Sequence, residues 1–366
     1  MRAPVLTVLL LLLTGCMAHT CPPRTVLPPA DPPIAPTIFP DPDWRPLSDP
    51  REAGYCGERL EPVRARATAL HTSALMVVVG GRVLLTVGDV TRVSYVASIR
   101  KSILALLMGN YVREGRLRLE ARLEDLGIDD IGGLTATERQ ATVADLLAAR
   151  SGIYRPAAND GDDLANAPPR GSQPPGTYFL YSNWDFNALG TIFEEQTNQS
   201  IYQALQCDLA EPLEMQDFER DWHQRDGNRN KSFHLAYHID LSTRDMARIG
   251  YLMLREGTWK DTQLVPREWT RQIVTPVTHV TEMNPPRLRT GRFGYGLLWW
   301  VWDGPAAVGA FEGAYTAIGY LGQFITVLPK LDMVIAHKVV LSMPQYTVST
   351  TQYVSLLNAI IAAHCP

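Results

Sequence analysis

The spacing of hydrophobic and polar positions changes twice along the chain. Residues 74–90 hold two apolar runs that meet at Gly80-Gly81, which predicts a β-hairpin. Helical spacing prevails from residue 98 to about 274, as in NWDFNALGTIFEEQT and STRDMARIGYLMLREG. Beyond Gly294 the apolar runs are short again, which favours strands in YGLLWWVW, AFEGAYTAI, QFITVLP and DMVIAHKVV.

This order of elements predicts an α/β fold. Strands at both ends of the body, residues 51–366, favour one antiparallel sheet built from about 51–97 and 290–366. The mostly helical part, about 98–289, is then an insertion between its two halves. Helical spacing in 57–72 and 348–363 adds helices that flank the sheet.

The first residues have the layout of a secretory signal. MRAPVLTVLLLLLTGC has one positive charge at Arg2 and an apolar run that is too short to span a bilayer. Its end, Leu13-Thr14-Gly15-Cys16, resembles the bacterial lipobox. We expect residues 1–15 to be removed and Cys16 to carry a lipid that holds the protein in the bacterial cell envelope. The alternative is an ordinary signal peptide with a chance cysteine.

In the segment 16–50, proline recurs throughout residues 21–50. Proline fixes φ and removes a hydrogen-bond donor, so the segment favours extended conformations. We interpret it as a semi-rigid stalk between the membrane and the body. Alternatively, Ile38 to Trp44 lies on the folded body, because Phe39 and Trp44 are costly to leave in water.

The amino-acid composition and net charge exclude some classes of function. Hydrophobic residues make up 46% of the 366 residues and charged residues 20%, which is ordinary for a globular protein. A net charge of −4 gives no electrostatic reason to expect a nucleic-acid partner. No C-x-x-C occurs and no histidines and cysteines have zinc spacing, so we expect neither a metal nor a cofactor.

Four cysteines remain if Cys16 is lipidated, and they allow three pairings. An exported protein can form disulfides. We favour Cys56 with Cys365, because the two ends of the body can pack together; the other two are Cys21 and Cys207.

Candidate chemistry begins in VSYVASIRKSILALL. Ser98 and Lys101 are three residues apart at the start of a helix and therefore share a face. Lysine can lose its proton when it is desolvated and then act as a base for a nucleophile. Lys101 is one of five lysines, and the other four lack a serine three residues earlier. The alternative is a chance polar pair.

A second candidate motif is FLYSNWDFNALG. Tyr181 precedes a predicted helix, and cationic neighbours would lower the pKa of its phenol and let it transfer protons. Asn183 offers a donor and an acceptor two residues later. A buried tyrosine followed by a helix-capping asparagine would give the same pattern.

In this order and spacing, Ser98-x-x-Lys101 and Tyr181-x-Asn183 resemble the serine hydrolases of the penicillin-binding-protein and class C β-lactamase fold. That group includes DD-peptidases, esterases and 6-aminohexanoate-dimer hydrolases. LLAARSGIY, STRDMARIGYLMLREGTW and FGYGLLWWVW also resemble its framework. The resemblance implies a β-lactamase/transpeptidase-like fold, with Ser98 as nucleophile and Lys101 and Tyr181 as proton-transfer groups.

The third motif of that group, Lys-Thr-Gly or His-x-Gly, is missing. Its best counterpart is Tyr320-Leu321-Gly322-Gln323. Gly322 would let a substrate approach the backbone, and the N–H of Gln323 would join that of Ser98 as an oxyanion hole. A strand with structural glycines would give the same pattern.

The absence of the lysine or histidine of the third motif affects which substrates the site can recognise. A fixed positive charge would recognise the carboxylate of penicillins, whereas Trp299, Trp300 and Tyr320 suggest an apolar wall. We therefore expect hydrolysis of short esters or small amides with feeble β-lactamase activity, unless Arg155, Arg170 or Arg292 restores the charge. The alternatives are a β-lactamase or DD-peptidase, or a penicillin-binding sensor or scaffold with little turnover.

Nothing in the sequence orients His238 or His337 toward Ser98.

Overall fold

The computed structural model of the chain describes Cys21, residues 38–340 and residues 346–366. Within these ranges, seven strands form an antiparallel sheet in the order β2-β1-β13-β12-β11-β10-β9. The strands are β1 (Ala74–Val79), β2 (Arg82–Gly88), β9 (Phe293–Tyr295), β10 (Trp300–Trp302), β11 (Tyr315–Gly319), β12 (Gln323–Leu328) and β13 (Met333–Lys338). The predicted α/β fold with one antiparallel sheet is confirmed.

The sheet joins strands that are far apart in the sequence. β1 and β2 form the predicted hairpin, with Gly80 and Gly81 at φ values of 57° and 81° that favour glycine. On its other side β1 pairs with β13, from Ala74 opposite Lys338 to Val79 opposite Met333. The first and last parts of the body therefore share one sheet, as the two apolar strand regions predict.

Helices cover both faces of the sheet, because its strands alternate between two apolar cores. Met76 and Val78 of β1 belong to one core, and Leu75 and Val77 belong to the other. α1 and α8 pack on the Leu75 face, and the remaining helices lie on the Met76 face or beyond it. The helices are α1 (Gly57–Ala69), α2 (Ile99–Arg113), α3 (Val143–Leu147), α4 (Asn183–Thr197), α5 (Ile201–Ala204), α6 (Thr243–Leu254), α7 (Arg267–Ile273) and α8 (Thr350–Ala362).

The helical insertion also contains short ribbons that the helical spacing did not predict. The first pairs β3 (Ser94–Tyr95) with β6 (Asp240–Leu241), just before Ser98. The others pair β4 (Gln224–Asp226) with β5 (Ala236–His238), and β7 (Thr258–Trp259) with β8 (Thr262–Gln263). Two or three residues per strand are too few to give a periodic signal.

YGLLWWVW is not one strand, which corrects its prediction. β9 ends at Tyr295 and β10 begins at Trp300. Between them Leu298 has a φ of 61°, a left-handed conformation that interrupts the strand. The Leu298 carbonyl accepts a 2.7 Å hydrogen bond from the Ser102 hydroxyl of α2, so this turn is fastened to the helix that follows Ser98.

The described parts of the proline-rich segment contact the body, and the stalk between the membrane and the body stays a prediction. Phe39 packs edge-on against Trp259 at 5.2 Å, and the Trp44 indole donates to the Arg244 carbonyl at 3.1 Å. The alternative, in which Ile38 to Trp44 lies on the body, fits these contacts. Cys16, the predicted signal peptide and residues 22–37 lie outside the described residues.

Two disulfides close the body. Cys56 bonds to Cys365, the pair favoured from the sequence, and Cys21 bonds to Cys207 across 186 residues. None of the helices in the described ranges is long and apolar enough to cross a membrane.

Candidate active site

Ser98 lies where the β3–β6 ribbon meets helix α2. The backbone N–H of Val96 donates to the Ile239 carbonyl at 3.0 Å, and this bond fixes the approach to the helix. Ala97 then has a φ of 51°, a conformation that alanine rarely adopts. Such backbone strain is common at functional sites. Ser98 is the N-cap residue of α2, and within the described residues its own N–H donates to no backbone carbonyl.

The Lys101 amine joins the two sequence motifs. Its Nζ lies 2.9 Å from Ser98 Oγ, 2.7 Å from the Tyr181 hydroxyl and 2.6 Å from Asn183 Oδ1. The structure therefore brings together four of the predicted site residues around one nitrogen. The one-turn spacing in α2 places Ser98 and Lys101 side by side, as the i,i+3 geometry predicts.

Burial favours the neutral form of the Lys101 amine. The side chain is 1% exposed, and its amine lies 4.3 Å and 4.6 Å from the ring centroids of Tyr181 and Phe186. Burial and the neighbouring Arg100 guanidinium hold the pKa of Lys101 well below its usual range, whereas Asp162 acts in the opposite direction. A neutral amine has a lone pair that can accept the proton of Ser98 Oγ.

Asn183 is held so that its carbonyl oxygen faces Lys101. Its Nδ2 donates to the Asp160 carbonyl at 2.9 Å, and its backbone N–H donates to Asp162 Oδ2 at 3.0 Å. The side-chain oxygen can only accept, so Lys101 must donate one of its protons there. The helix-cap alternative does not hold, because the N-cap residue of α4 is Ser182 and Asn183 is the first helical residue.

The prediction of a lowered phenol pKa for Tyr181 is wrong. Burial is the dominant cause and raises the pKa above its usual value, although a hydrogen bond with Ser98 and the charge of Arg100 lower it. A neutral Lys101 provides no ammonium to stabilise a phenolate. Tyr181 is therefore a neutral phenol that can pass a proton between neighbouring oxygen and nitrogen atoms.

Of the three aromatic side chains predicted to form an apolar wall, Trp300 contacts the site. Trp300 is half-buried and stacks on Tyr181, with ring centroids 5.5 Å apart. Trp299 is fully buried and packs against Tyr315, so it belongs to the core. Tyr320 is 69% exposed at the tip of the β11–β12 hairpin.

The third motif lies in that hairpin. Gln323 is the first residue of β12 and pairs with Gly319 at the end of β11. A Cβ on Gly322 would lie 3.0 Å from the Val348 side chain, so this glycine faces the part of the chain before α8. Within the described residues, no side-chain hydrogen bond or ring contact joins Tyr320, Gly322 or Gln323 to Ser98. Their roles at the site stay predictions.

Sequence reasoning missed Gly319. A Cβ at this position would lie 2.5 Å from the Val96 carbonyl, two residues before Ser98. Only glycine permits so close an approach of β11 to the serine segment. The contact joins residues 223 positions apart in the sequence, and no local pattern could have indicated it.

The two histidines considered as bases have other partners. His337 hydrogen-bonds to Thr72 at 2.9 Å and to the Gly322 carbonyl at 2.7 Å, and burial lowers its pKa to about 4. His238 stacks on Tyr95 at 4.1 Å and lies 3.5 Å from Asp226. In the part of the chain that the structure describes, no group of three or more His, Cys, Asp or Glu side chains could hold a metal ion.

The Ser98 hydroxyl lies at a helix start and is hydrogen-bonded to a buried lysine, beside a tyrosine and an asparagine. On this fold, such a site is typical of the serine hydrolases of the β-lactamase and penicillin-binding-protein class. The sequence assigns the family directly. A sequence model of the Beta-lactamase family matches residues 59–340, and the chain belongs to that family.

Solved structures agree with the family in fold. A penicillin-binding-protein homologue from Caulobacter crescentus is similar with a TM-score of 0.60 and 15% identity, over 85% of this chain and 99% of that one. A β-lactamase from Mycobacterium bovis has a TM-score of 0.55 and 20% identity, over 80% and 96%. A family VIII carboxylesterase has a TM-score of 0.59 and 15% identity, over 85% and 99%. No curated protein matches the chain.

Proposed function

We propose that the protein hydrolyses short esters or small amides through a covalent acyl-enzyme on Ser98. The observation that carries this proposal is the contact of the buried Lys101 amine with both Ser98 Oγ, at 2.9 Å, and the Tyr181 hydroxyl, at 2.7 Å. A neutral amine in contact with a serine hydroxyl is the arrangement that activates a weak nucleophile.

Acylation follows from this geometry. Lys101 Nζ takes the proton of Ser98 Oγ while that oxygen bonds to the carbonyl carbon of the substrate. The carbonyl oxygen becomes an oxyanion, for which the N–H groups of Ser98 and Gln323 are the proposed donors. The bond to the leaving group then breaks, and the leaving oxygen or nitrogen receives a proton from Lys101 through the Tyr181 hydroxyl.

Deacylation uses the same residues. A water molecule gives its proton to the Tyr181 and Lys101 pair as its oxygen attacks the acyl carbon. Ser98 Oγ leaves, recovers a proton and releases a carboxylic acid. Asn183 keeps the amine oriented throughout, since its carbonyl accepts from Nζ.

Several side chains favour an uncharged substrate. Arg170 pairs with the Glu138 carboxylate at 2.7 Å and 2.6 Å, and Arg155 donates to the Gly133 carbonyl at 2.9 Å, so both guanidinium groups are engaged with other partners. The nearby carboxylate of Asp162 adds negative charge beside Asn183. A substrate carboxylate would lack a fixed cationic partner there, and Trp300 offers an apolar ring instead.

Turnover separates an enzyme from a sensor. Ser98→Ala should abolish both hydrolysis of a p-nitrophenyl ester and labelling by a fluorescent fluorophosphonate. Unchanged ester turnover in this variant would refute the nucleophile assignment. Acylation by an ester or β-lactam without subsequent release would instead favour a penicillin-binding sensor or scaffold.

We also propose that Cys16 carries a lipid that anchors the protein in the bacterial cell envelope. The support is the lipobox-like Leu-Thr-Gly-Cys sequence, together with two disulfides of the kind that form in exported proteins. Labelled palmitate should be incorporated into the full-length protein and not into the Cys16→Ala variant. Incorporation that survives the substitution would refute the anchor.

A further inference from the structure

Arg100 lies directly between Ile99 and Lys101 in the first turn of α2, and it is 1% exposed. A guanidinium cannot be deprotonated in a protein, so this side chain holds a permanent positive charge inside the body. No step of the proposed acylation or deacylation uses its side chain.

The contacts of Arg100 are with neutral groups. Its Nη2 donates to Asn187 Oδ1 at 2.9 Å, and its guanidinium carbon lies 4.3 Å from the centroid of the Tyr237 ring. Its Nη1 is buried and has no hydrogen-bond partner among the described residues. None of the ion pairs between described residues includes Arg100. A buried charge without a carboxylate partner costs stability, so its presence needs another explanation.

We propose that Arg100 is a positioning residue that acts electrostatically on Lys101, keeping the amine neutral and ready to accept the Ser98 proton at neutral pH. The proposal rests on the proposed role of Lys101 as the base. A permanent cation next to an amine opposes its protonation, and low dielectric surroundings strengthen the effect. Because arginine cannot release its own proton, the neighbouring lysine is the group that responds.

None of the described carboxylates near this pair forms an ion pair with Arg100. Lys101 faces Tyr181, Asn183 and Phe186, with Asp162 as the acidic group that favours its protonated form. Arg225 has its own carboxylate partner in Glu194, and Asp226 lies 3.5 Å from His238. The charge of Arg100 acts on titratable groups of other elements, namely Tyr95, Tyr181, Tyr202, Tyr237 and His238, and Arg225, Asp226 and Asp240 act on the same tyrosines.

Two substitutions test the proposal. Arg100→Met and Arg100→Gln both remove the charge, and only the glutamine can keep a hydrogen bond with Asn187. The second-order rate of fluorophosphonate labelling and kcat/KM for a p-nitrophenyl ester are measured from about pH 6 to pH 10, around the usual pKa of lysine. We expect the rising limb of both profiles to move up by about one pH unit or more in both variants. At pH 7 the rates then fall about tenfold or more and recover above the shifted limb.

Arg225→Gln is the matched control. It removes a nearby positive charge that Glu194 already neutralises, so its pH profile should coincide with that of the wild type. Equal rate losses at every pH in the Arg100 variants, or an unmoved profile, would overturn the proposal. Loss of folding in both variants, seen in a thermal unfolding scan, would also overturn it, because the fold would then need the charge. Failure of the wild type to react at Ser98 would refute the proposed function itself.

Discussion

Lys101 Nζ and Asn183 Oδ1 lie 2.6 Å apart, the shortest of the three hydrogen bonds that the amine makes. The asparagine oxygen carries no formal charge, so it orients the amine without fixing a proton on it. A carboxylate at the same position would favour the ammonium form.

Asn183→Asp should therefore inactivate the protein at neutral pH. A carboxylate in contact with Nζ raises the pKa of Lys101 by about one to three units. Since the base is the unprotonated amine, activity appears only above that pKa, and the rising limb of kcat/KM moves to higher pH. The pH profile for a p-nitrophenyl ester measures the shift. Asn230→Asp, which adds the same charge on an exposed loop, should leave the profile in place.

Tyr181→Phe should lower kcat about 10²- to 10⁴-fold, the usual contribution of a proton-transfer group. The ring that stacks on Trp300 remains, so KM should change little. The matched control is Tyr154→Phe, because the Tyr154 hydroxyl is buried without a hydrogen-bond partner. If both variants keep wild-type kcat, Tyr181 has no part in proton transfer.

An uncharged ester should be a better substrate than a cephalosporin. The third motif has Tyr320-Leu321-Gly322 in place of Lys-Thr-Gly and so lacks its cation, and a missing charge-assisted hydrogen bond is worth roughly 1.5–3 kcal/mol, or about one to two decades in affinity. We expect kcat/KM for a p-nitrophenyl ester to exceed that for a cephalosporin by at least that factor. Faster turnover of the cephalosporin would show that another cation, such as Arg292, recognises the carboxylate.

Removing the Cys56–Cys365 disulfide should cost stability and leave catalysis unchanged. The bond closes a loop of 309 residues, and loss of a native disulfide typically lowers the free energy of unfolding by about 2–5 kcal/mol. Cys56 is buried directly before α1, and α1 and α8 belong to the core on the sheet face away from α2. Denaturant unfolding of the Cys56→Ser, Cys365→Ser double variant measures the cost, and kcat for the ester is its control. A large fall in kcat in the folded variant would contradict this separation.

Local spacing predicted the centre of the site. Ser98 and Lys101 meet because they are one helical turn apart, and Gly80-Gly81 marked a hairpin because the turn needs positive φ. The location of Tyr181 beside Lys101 followed from the resemblance to a family. Each of these predictions depends on a few neighbouring residues or on motifs that follow one another in a characteristic order along the sequence.

The remaining errors concern long-range packing. Trp299 and Trp300 were both predicted to line the site, but Trp299 lies in the core and only Trp300 stacks on Tyr181. They follow Leu298, whose left-handed turn is fastened to Ser102. The pKa of Tyr181 rises because burial outweighs the charges around it. Gly319 contributes through a contact with Val96 that forms only when the sheet meets α2. None of these effects has a signature in the local order of residues.

If Cys16 carries the proposed lipid, the Cys21–Cys207 disulfide would limit how far the body can move from the membrane. Only four residues separate Cys16 from Cys21, so a lipid on Cys16 would be joined to the body by at most about 18 Å of extended chain. The prolines between residues 22 and 37 then add nothing to this distance, because they follow the point of attachment. The surface around Cys207 would remain next to the lipid headgroups, and reduction of this one bond would let the body move further from the membrane.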